Sequence, residues 1–217
     1  MIRKTAIRKN PYIGLFLKAN DEFVLVPKNC PPKVTAVAEE TLGVEPIPVS
    51  VNQSPLIGIF SAMNSNACVL SALIEKEEVT ALRKTGLNLF FIDERWGAVC
   101  NNVLMNDKAA LVNPAIPESE VKKLGLGIEV FQQPISGIAT IGSVNVVTNK
   151  GVLAYNEITD IELKGLEKMF GVKGLNGSVN MGLIFNSLGV VANSKGALVG
   201  ELTSGFEIQR IYEALFG

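Results

Sequence analysis

The sequence predicts an α+β fold in which five copies of one strand–strand–helix–strand unit form a five-fold pseudo-symmetric ring. Three observations predict it. An asparagine recurs between apolar runs at intervals of about 43 residues, and a helix-start pattern recurs in phase with it. An alternating segment at the amino end then supplies the one strand that the last unit lacks.

The first recurring element is a hairpin turn. Asparagine tolerates the left-handed backbone region and hydrogen-bonds locally, so it favours a tight turn between two strands. The flanking runs are apolar, as in strands that are covered on both faces. We expect a structural role in every turn rather than chemistry for Asn20, Asn64, Asn106, Asn149 and Asn193.

The second recurring element is a helix that follows each hairpin. A charged residue precedes an aliphatic residue, which lies 14 or 15 residues after the turn asparagine. Thr159 with Glu162, and Ser204 with Glu207, form capping boxes, in which the two side chains satisfy first-turn amides. The charged and aliphatic pairs begin at Lys33, Glu78, Glu120, Glu162 and Glu207.

A short strand follows most of the helices, and the ring closes through the amino end. The predicted strands are Ile47–Val51, Leu87–Ile92, Ile128–Phe131 and Val172–Leu175. The fifth unit has no such strand, so the alternating segment 2–7 is expected to take its place and to remove the exposed sheet edges. No linker divides the chain, which predicts a single domain with units at 8–51, 52–93, 94–135, 136–178 and 179–217.

Composition excludes several classes of function. The 20 basic and 21 acidic residues give a net charge of −1, which argues against a dedicated nucleic-acid binder. The chain has no histidine, and its three cysteines lie far apart, so we expect no metal site, no cofactor and no histidine-dependent catalysis. No apolar run approaches the ~20 residues of a membrane span, which favours a cytoplasmic protein.

Several ordered segments resemble one known family. Gly142–Ala154, Gly189–Glu201 and Val103–Ala115 carry the resemblance, together with the opening Ile2–Lys4 and Asn10–Leu15. These segments are similar to the archaeal and eukaryotic translation initiation factor six family, the ribosome anti-association factor. Motifs of the family occur in all five units, and the resemblance covers essentially the whole chain.

The resemblance implies a five-fold β/α-propeller, the pentein fold, and a non-catalytic function. Members bind the intersubunit face of the large ribosomal subunit, at a ribosomal protein near the sarcin–ricin loop, and thereby block the small subunit. A contribution from ribosomal RNA and a role in large-subunit maturation are compatible with the resemblance. We expect a monomer that does not associate with membranes.

The resemblance places one ring of positions close to the ribosome-facing surface. These positions lie five residues before each turn asparagine, in the strand that enters the hairpin. Only Asn101 among them is polar, so it is the first candidate for a hydrogen bond to the ribosome. The aliphatic candidates are Leu15, Ile59 and Val144, and Leu188 is the equivalent position of the fifth unit; burial statistics favour a core role for all four.

The chain departs from the family pattern at some of these places. Cys100 precedes Asn101 where the family usually has glycine, and Ile59 stands where arginine is common. Ser71 and Asn156 replace a proline that often follows the second strand of the hairpin. These departures leave the fold intact and bear on the detailed contacts with the ribosome.

Two other functions are weighed against this interpretation. The pentein fold also hosts guanidine-modifying enzymes, which use cysteine, histidine and acidic residues, but this chain has no histidine to activate a thiol. A ring-shaped scaffold for some other protein fits the repeats equally well, since fold alone does not determine function. Trp96 and basic pairs such as Arg8-Lys9 and Arg83-Lys84 are further candidates for contact with a partner. No feature of the sequence selects one of them.

Overall fold

The computed structural model describes all 217 residues and contains five three-stranded sheets. In each sheet an antiparallel hairpin is joined by a third strand that runs parallel to the second strand of the hairpin. The strands are β1 (Ile2–Thr5), β2 (Lys18–Ala19), β3 (Phe23–Pro27), β4 (Glu45–Val49), β5 (Ser61–Met63), β6 (Ala67–Ser71), β7 (Asn88–Ile92), β8 (Val103–Met105), β9 (Ala109–Val112), β10 (Glu129–Gln132), β11 (Val146–Val147), β12 (Gly151–Ala154), β13 (Lys173–Asn176), β14 (Val190–Ala192) and β15 (Ala197–Gly200).

Nine α-helices accompany the strands. Four of them connect the second and third strands of a unit, one follows the second strand of the fifth unit, and four are single turns that precede a hairpin. The helices are α1 (Pro32–Leu42), α2 (Ile57–Phe60), α3 (Lys76–Arg83), α4 (Val99–Asn102), α5 (Glu118–Leu124), α6 (Ile141–Val144), α7 (Asp160–Phe170), α8 (Asn186–Gly189) and α9 (Gly205–Phe216). Short 3₁₀ segments span Ile13–Leu15 and Glu94–Trp96.

The single-turn helices correct one sequence prediction. The residues five positions before each turn asparagine were expected in strands, but they lie in α2, α4, α6, α8 and the 3₁₀ segment of the first unit. The flanking residues are apolar, so hydrophobic pattern alone cannot distinguish a four-residue helix from the start of a strand. The strand in each unit begins only at or after the end of this turn.

The amino-terminal strand completes the fifth sheet. β1 pairs in parallel with β15, from Ile2 opposite Ala197 to Thr5 opposite Gly200. The pairing ends two residues earlier than the predicted segment 2–7, because the chain then enters a tight turn. Arg8 and Lys9 occupy the left-handed region in that turn, with φ of 52° and 67°.

Neighbouring units contact one another in a cycle. The first strand of each hairpin contacts its counterparts in both adjacent units, including β14 with β2. The core consists of five clusters of buried apolar residues, and each cluster draws on two neighbouring units. The second strand of every hairpin is buried along its length, which matches the apolar runs in the sequence.

Both predicted capping boxes are present. Thr159 and Ser204 accept hydrogen bonds from the backbone N–H groups of Glu162 and Glu207. The two carboxylates also accept hydrogen bonds from the preceding inter-unit turn, at Ser136 N and Gly182 N. In these units the glutamate therefore joins a helix start to the turn packed beside it, which explains its phase with the hairpin.

No helix combines the length and the apolar character that crossing a membrane requires.

Candidate binding surface

The single-turn helices meet around the centre of the molecule. Each contacts the corresponding turn in both neighbouring units. In the first, second and fourth units the second residue of the turn is a glycine, which makes this approach possible; Cys100 and Ser187 take that position in the other two units. A Cβ added to Gly14, Gly58 or Gly142 would lie 1.8, 1.9 or 2.0 Å from a carbonyl oxygen of the adjacent turn. Glycine is needed at these three positions because the backbones themselves are in contact.

The third residue of each turn follows this contact point and provides a set of structurally equivalent positions. These positions are Leu15, Ile59, Asn101, Ser143 and Leu188. Four of the five agree with the sequence prediction. The fourth unit differs, because its turn lies one residue further from the asparagine, so Ser143 takes the place expected for Val144.

Val144 is therefore a correction to the candidate site. Its side chain is fully buried, with 0% of its surface exposed, and it cannot contact a partner. Leu15, Ile59 and Leu188 are half-buried, so these three side chains remain available at the surface.

Asn101 combines accessibility with unused hydrogen-bonding capacity. Its side chain is half-buried, and only its backbone N–H is bonded within the chain, to Ala98 O at 3.0 Å. The side chain of the next residue, Asn102, already has hydrogen-bond partners within the chain. Asn102 is buried, donates to Ala98 O at 3.1 Å and accepts from Asn113 Nδ2 at 2.8 Å. The carboxamide of Asn101 is thus free to bind another molecule.

Two aromatic residues extend the accessible area. Tyr12 and Phe185 each precede the turn of their unit, and each is 40% exposed. Sequence analysis missed both, because no motif marks which aromatic residues stay exposed. We call the accessible set the short-helix surface; its members are Tyr12, Leu15, Ile59, Asn101, Phe185 and Leu188, whereas Ser143 is buried.

A small cavity of about 50 Å³ lies at the centre, between the turns and the first strands of the hairpins. Lys18 and Cys100 both line it, and Lys18 Nζ lies 3.5 Å from Cys100 Sγ.

A second thiol, Cys68, is fully buried, and burial raises its pKa to about 12. At neutral pH Cys68 is therefore a neutral thiol and a poor nucleophile.

The turn asparagines occupy the opposite end of the hairpins and form a chain of hydrogen bonds between units. In every unit except the fourth, Oδ1 accepts from two backbone N–H groups of its own turn, as for Asn64 with Asn66 and Ala67. The amide then donates to the neighbouring unit: Asn193 to Asn20 O, Asn20 to Asn64 O, and Asn64 to Asn106 O. These residues are buried structural anchors.

The fourth unit again differs by one residue. Thr148, not Asn149, accepts the two turn N–H groups, from Lys150 and Gly151, each at 3.1 Å. Asn149 is exposed and instead donates to the carboxylates of Asp21 and Asp107. The assignment of Asn149 as a turn anchor is therefore wrong, and the hydroxyl of Thr148 performs that role.

Some of the remaining surface candidates already contact other residues of the chain, and others do not. Trp96 is half-buried and packs against the core cluster between the second and third units. Arg3 pairs with Glu40. Neither Arg8 nor Arg83 forms an ion pair within the chain, so these two cations stay available at the surface.

Comparison with known proteins gives one consistent family. The model of the eIF-6 family matches residues 2–214. The chain is 38% identical over 223 residues to a protein of Pyrococcus horikoshii, covering 99% of this chain and 98% of that one. It is 36% identical to proteins of Pyrobaculum arsenaticum over 205 residues (94% and 93%) and Methanosarcina mazei over 217 residues (99% and 98%). All three relatives are named translation initiation factor 6.

Proposed function

We propose that this chain, which belongs to the eIF-6 family of translation factors, binds the large ribosomal subunit at the face that meets the small subunit. A bound protein of this size would occupy the space that the small subunit needs, so joining would be blocked sterically. The family is one of translation factors rather than enzymes, and the mechanism requires no reaction and no cofactor.

The observation that carries the proposal at residue level is the free carboxamide of Asn101. It lies among half-buried Leu15, Ile59 and Leu188, on a surface to which four of the five units contribute. Protein interfaces commonly have an apolar centre in which a few polar groups fix the orientation. An asparagine without a partner in such a place supplies both a donor and an acceptor to a ribosomal protein.

The partner in this proposal is a ribosomal protein near the sarcin–ricin loop, with ribosomal RNA as an additional contact. The protein would act as a monomer in the cytoplasm, where ribosomal subunits join. A further role in large-subunit maturation is compatible with the same binding, because a factor on the intersubunit face holds a new subunit out of translation.

We also propose that the five units form one domain with the closed pentein propeller arrangement. The pairing of β1 with β15 and the cyclic contacts between hairpins support it. Closure would hold the short-helix surface rigid, because each turn is wedged between two others. A rigid surface loses little conformational entropy on binding.

Sedimentation tests the proposal. The purified protein is mixed with large subunits of the same organism, and small subunits are then added. We expect stoichiometric binding to large subunits and loss of joining. Absence of binding at physiological salt, with joining unaffected, would contradict the proposed function and favour a scaffold for another partner.

Asn101→Ala then tests the surface. Removing the carboxamide leaves its partner group unpaired in the interface, so binding should weaken about tenfold, with unchanged thermal stability. Asn66→Ala is the matched control, since Asn66 is also exposed but lies in a hairpin turn at the opposite end. If both variants bind as the unmodified protein does, the ribosome contacts a different surface.

A further inference from the structure

A groove on the outer side of the second unit has a composition that the rest of the molecule does not repeat. It has a volume of about 330 Å³ and runs between α3 and β7. Ile74, Val79 and Phe91 provide apolar lining, and Lys76 and Arg83 also line it. Phe91 is 42% exposed. The groove shares no residue with the short-helix surface.

The two cations bracket the apolar part of the groove. Lys76, Val79 and Arg83 follow the i, i+3, i+7 spacing of one helix face. Seven residues of helix rise about 10 Å, so the backbone positions of the two cations lie about that far apart, on either side of Val79. Both side chains are exposed, and neither forms one of the chain's ion pairs.

The repeats provide four internal comparisons. The first and eighth positions counted from the start of the long helix are both cationic only in the second unit. In the third unit Glu118 at the first position pairs with Lys122 at 2.8 Å, so charge is neutralised within that helix. The corresponding pairs elsewhere are Pro32 and Glu39, Glu118 and Gly125, Asp160 and Glu167, and Gly205 and Tyr212.

Lys76 also stands in a place that a helix disfavours. The amino end of a helix carries partial positive charge, so a cation in the first turn is destabilising. The neighbouring Glu75 and Glu78 are already engaged in the capping box and in hydrogen bonds to Gln53. A residue that destabilises its own helix and has no compensating contact within its chain is a candidate for contact with another molecule.

We propose that this groove binds an acidic segment of a partner protein, with an apolar side chain against Val79 and Phe91 and carboxylates at Lys76 and Arg83. Charge complementarity selects the acidic partner. The lining selects a peptide over single-stranded nucleic acid, because it is mainly aliphatic. Base stacking relies on aromatic faces, and the groove offers only Phe91. The site goes beyond the proposed ribosome contact and does not depend on it.

Peptide titration followed by NMR tests the groove directly. The isotopically labelled full-length protein is titrated with acetylated, amidated peptides in which two glutamates flank one to four leucines. At least one peptide should shift the backbone amides of α3 and β7 in a saturable manner. Replacing both glutamates by glutamine should weaken binding about fivefold, and raising the salt concentration should also weaken it.

Variants locate the contact. Exposed ion pairs each contribute a factor of about two to three, so Lys76→Ala combined with Arg83→Ala should weaken binding about fivefold. Lys84→Ala is the matched control, because Lys84 is an exposed cation next to Arg83 that does not line the groove. Both cations are at the surface, so the variants are expected to fold normally.

Three outcomes overturn the proposal. One is the absence of saturable shifts at α3 and β7 with every peptide. Another is equal weakening by Lys84→Ala, which would indicate a diffuse charge effect rather than a groove. The third is a stronger, saturable response of the same amides to an oligouridine, which would assign the groove to RNA.

Discussion

The chain of hydrogen bonds between the turns leads to a direct prediction for Asn64→Ala. The side chain is 5% exposed and makes three hydrogen bonds, with Asn66 N at 2.9 Å, Ala67 N at 2.8 Å and Asn106 O at 3.0 Å. Water can reach the first of these partners more easily than the other two, which are buried. Leaving two buried polar groups unpaired costs about 1–3 kcal/mol each in the free energy of unfolding.

We therefore expect Asn64→Ala to lose about 3 kcal/mol. For a chain of this size that corresponds to a fall in Tm of roughly 6–12 °C, which thermal and urea unfolding monitored by circular dichroism would resolve. Asn149→Ala should cost less than about 1 kcal/mol, because its side chain is exposed, whereas Thr148→Ala should cost about 1–3 kcal/mol. If Asn149→Ala were as damaging as Asn64→Ala, and Thr148→Ala were harmless, the one-residue offset of the fourth unit would be refuted.

The glycines of the single-turn helices and the recurring glutamate give two further tests. Gly58→Ala should cost about 3 kcal/mol or more, because its Cβ would lie 1.9 Å from Gly14 O, which is backbone and cannot move aside. Gly165→Ala, in open space within α7, should instead stabilise the fold by about 0.5–1 kcal/mol, so equal melting temperatures would contradict the packing argument. Burial by itself raises the pKa of Glu207, but hydrogen bonds from Ser204 and Gly182 outweigh it and lower that pKa. Its stabilisation is complete above the unfolded pKa of about 4.3 and is lost as the pH falls through the lower folded pKa. Glu207→Gln should be less stable at pH 7, and the difference should shrink as the pH falls through the lowered pKa of Glu207; parallel curves would show that the carboxylate does not contribute.

The repeat architecture was predictable because it rests on local preferences that recur. Each unit needs a tight turn, a capped helix and apolar strands, and the residues with those propensities return in phase. The third strands of the second, third and fourth units were predicted to within one residue, whereas β4 begins and ends two residues before its predicted bounds. Pairing of the amino-terminal strand with β15 was also predictable, since the last unit lacks a strand of its own.

The candidate surface was predictable only in part. The resemblance selected Asn101, Leu15 and Ile59, and the structure leaves all three accessible. It also selected Val144, which is fully buried, because counting from an asparagine assumes that every unit has the same length. No local signal identifies Tyr12 and Phe185 as exposed.

The sequence by itself determined the number of units, the element order within them and the family, because these depend on short-range propensity and on motifs. Only the tertiary structure decided which of two adjacent polar residues accepts the hydrogen bonds of the turn in the fourth unit. Thr148 and Asn149 both suit a turn, and the choice follows from which of them points to the turn N–H groups once the hairpins pack together. The same packing leaves Asn102 buried with partners on both sides and Asn101 free, because neighbours in a helical turn face different directions and only one of them meets the core.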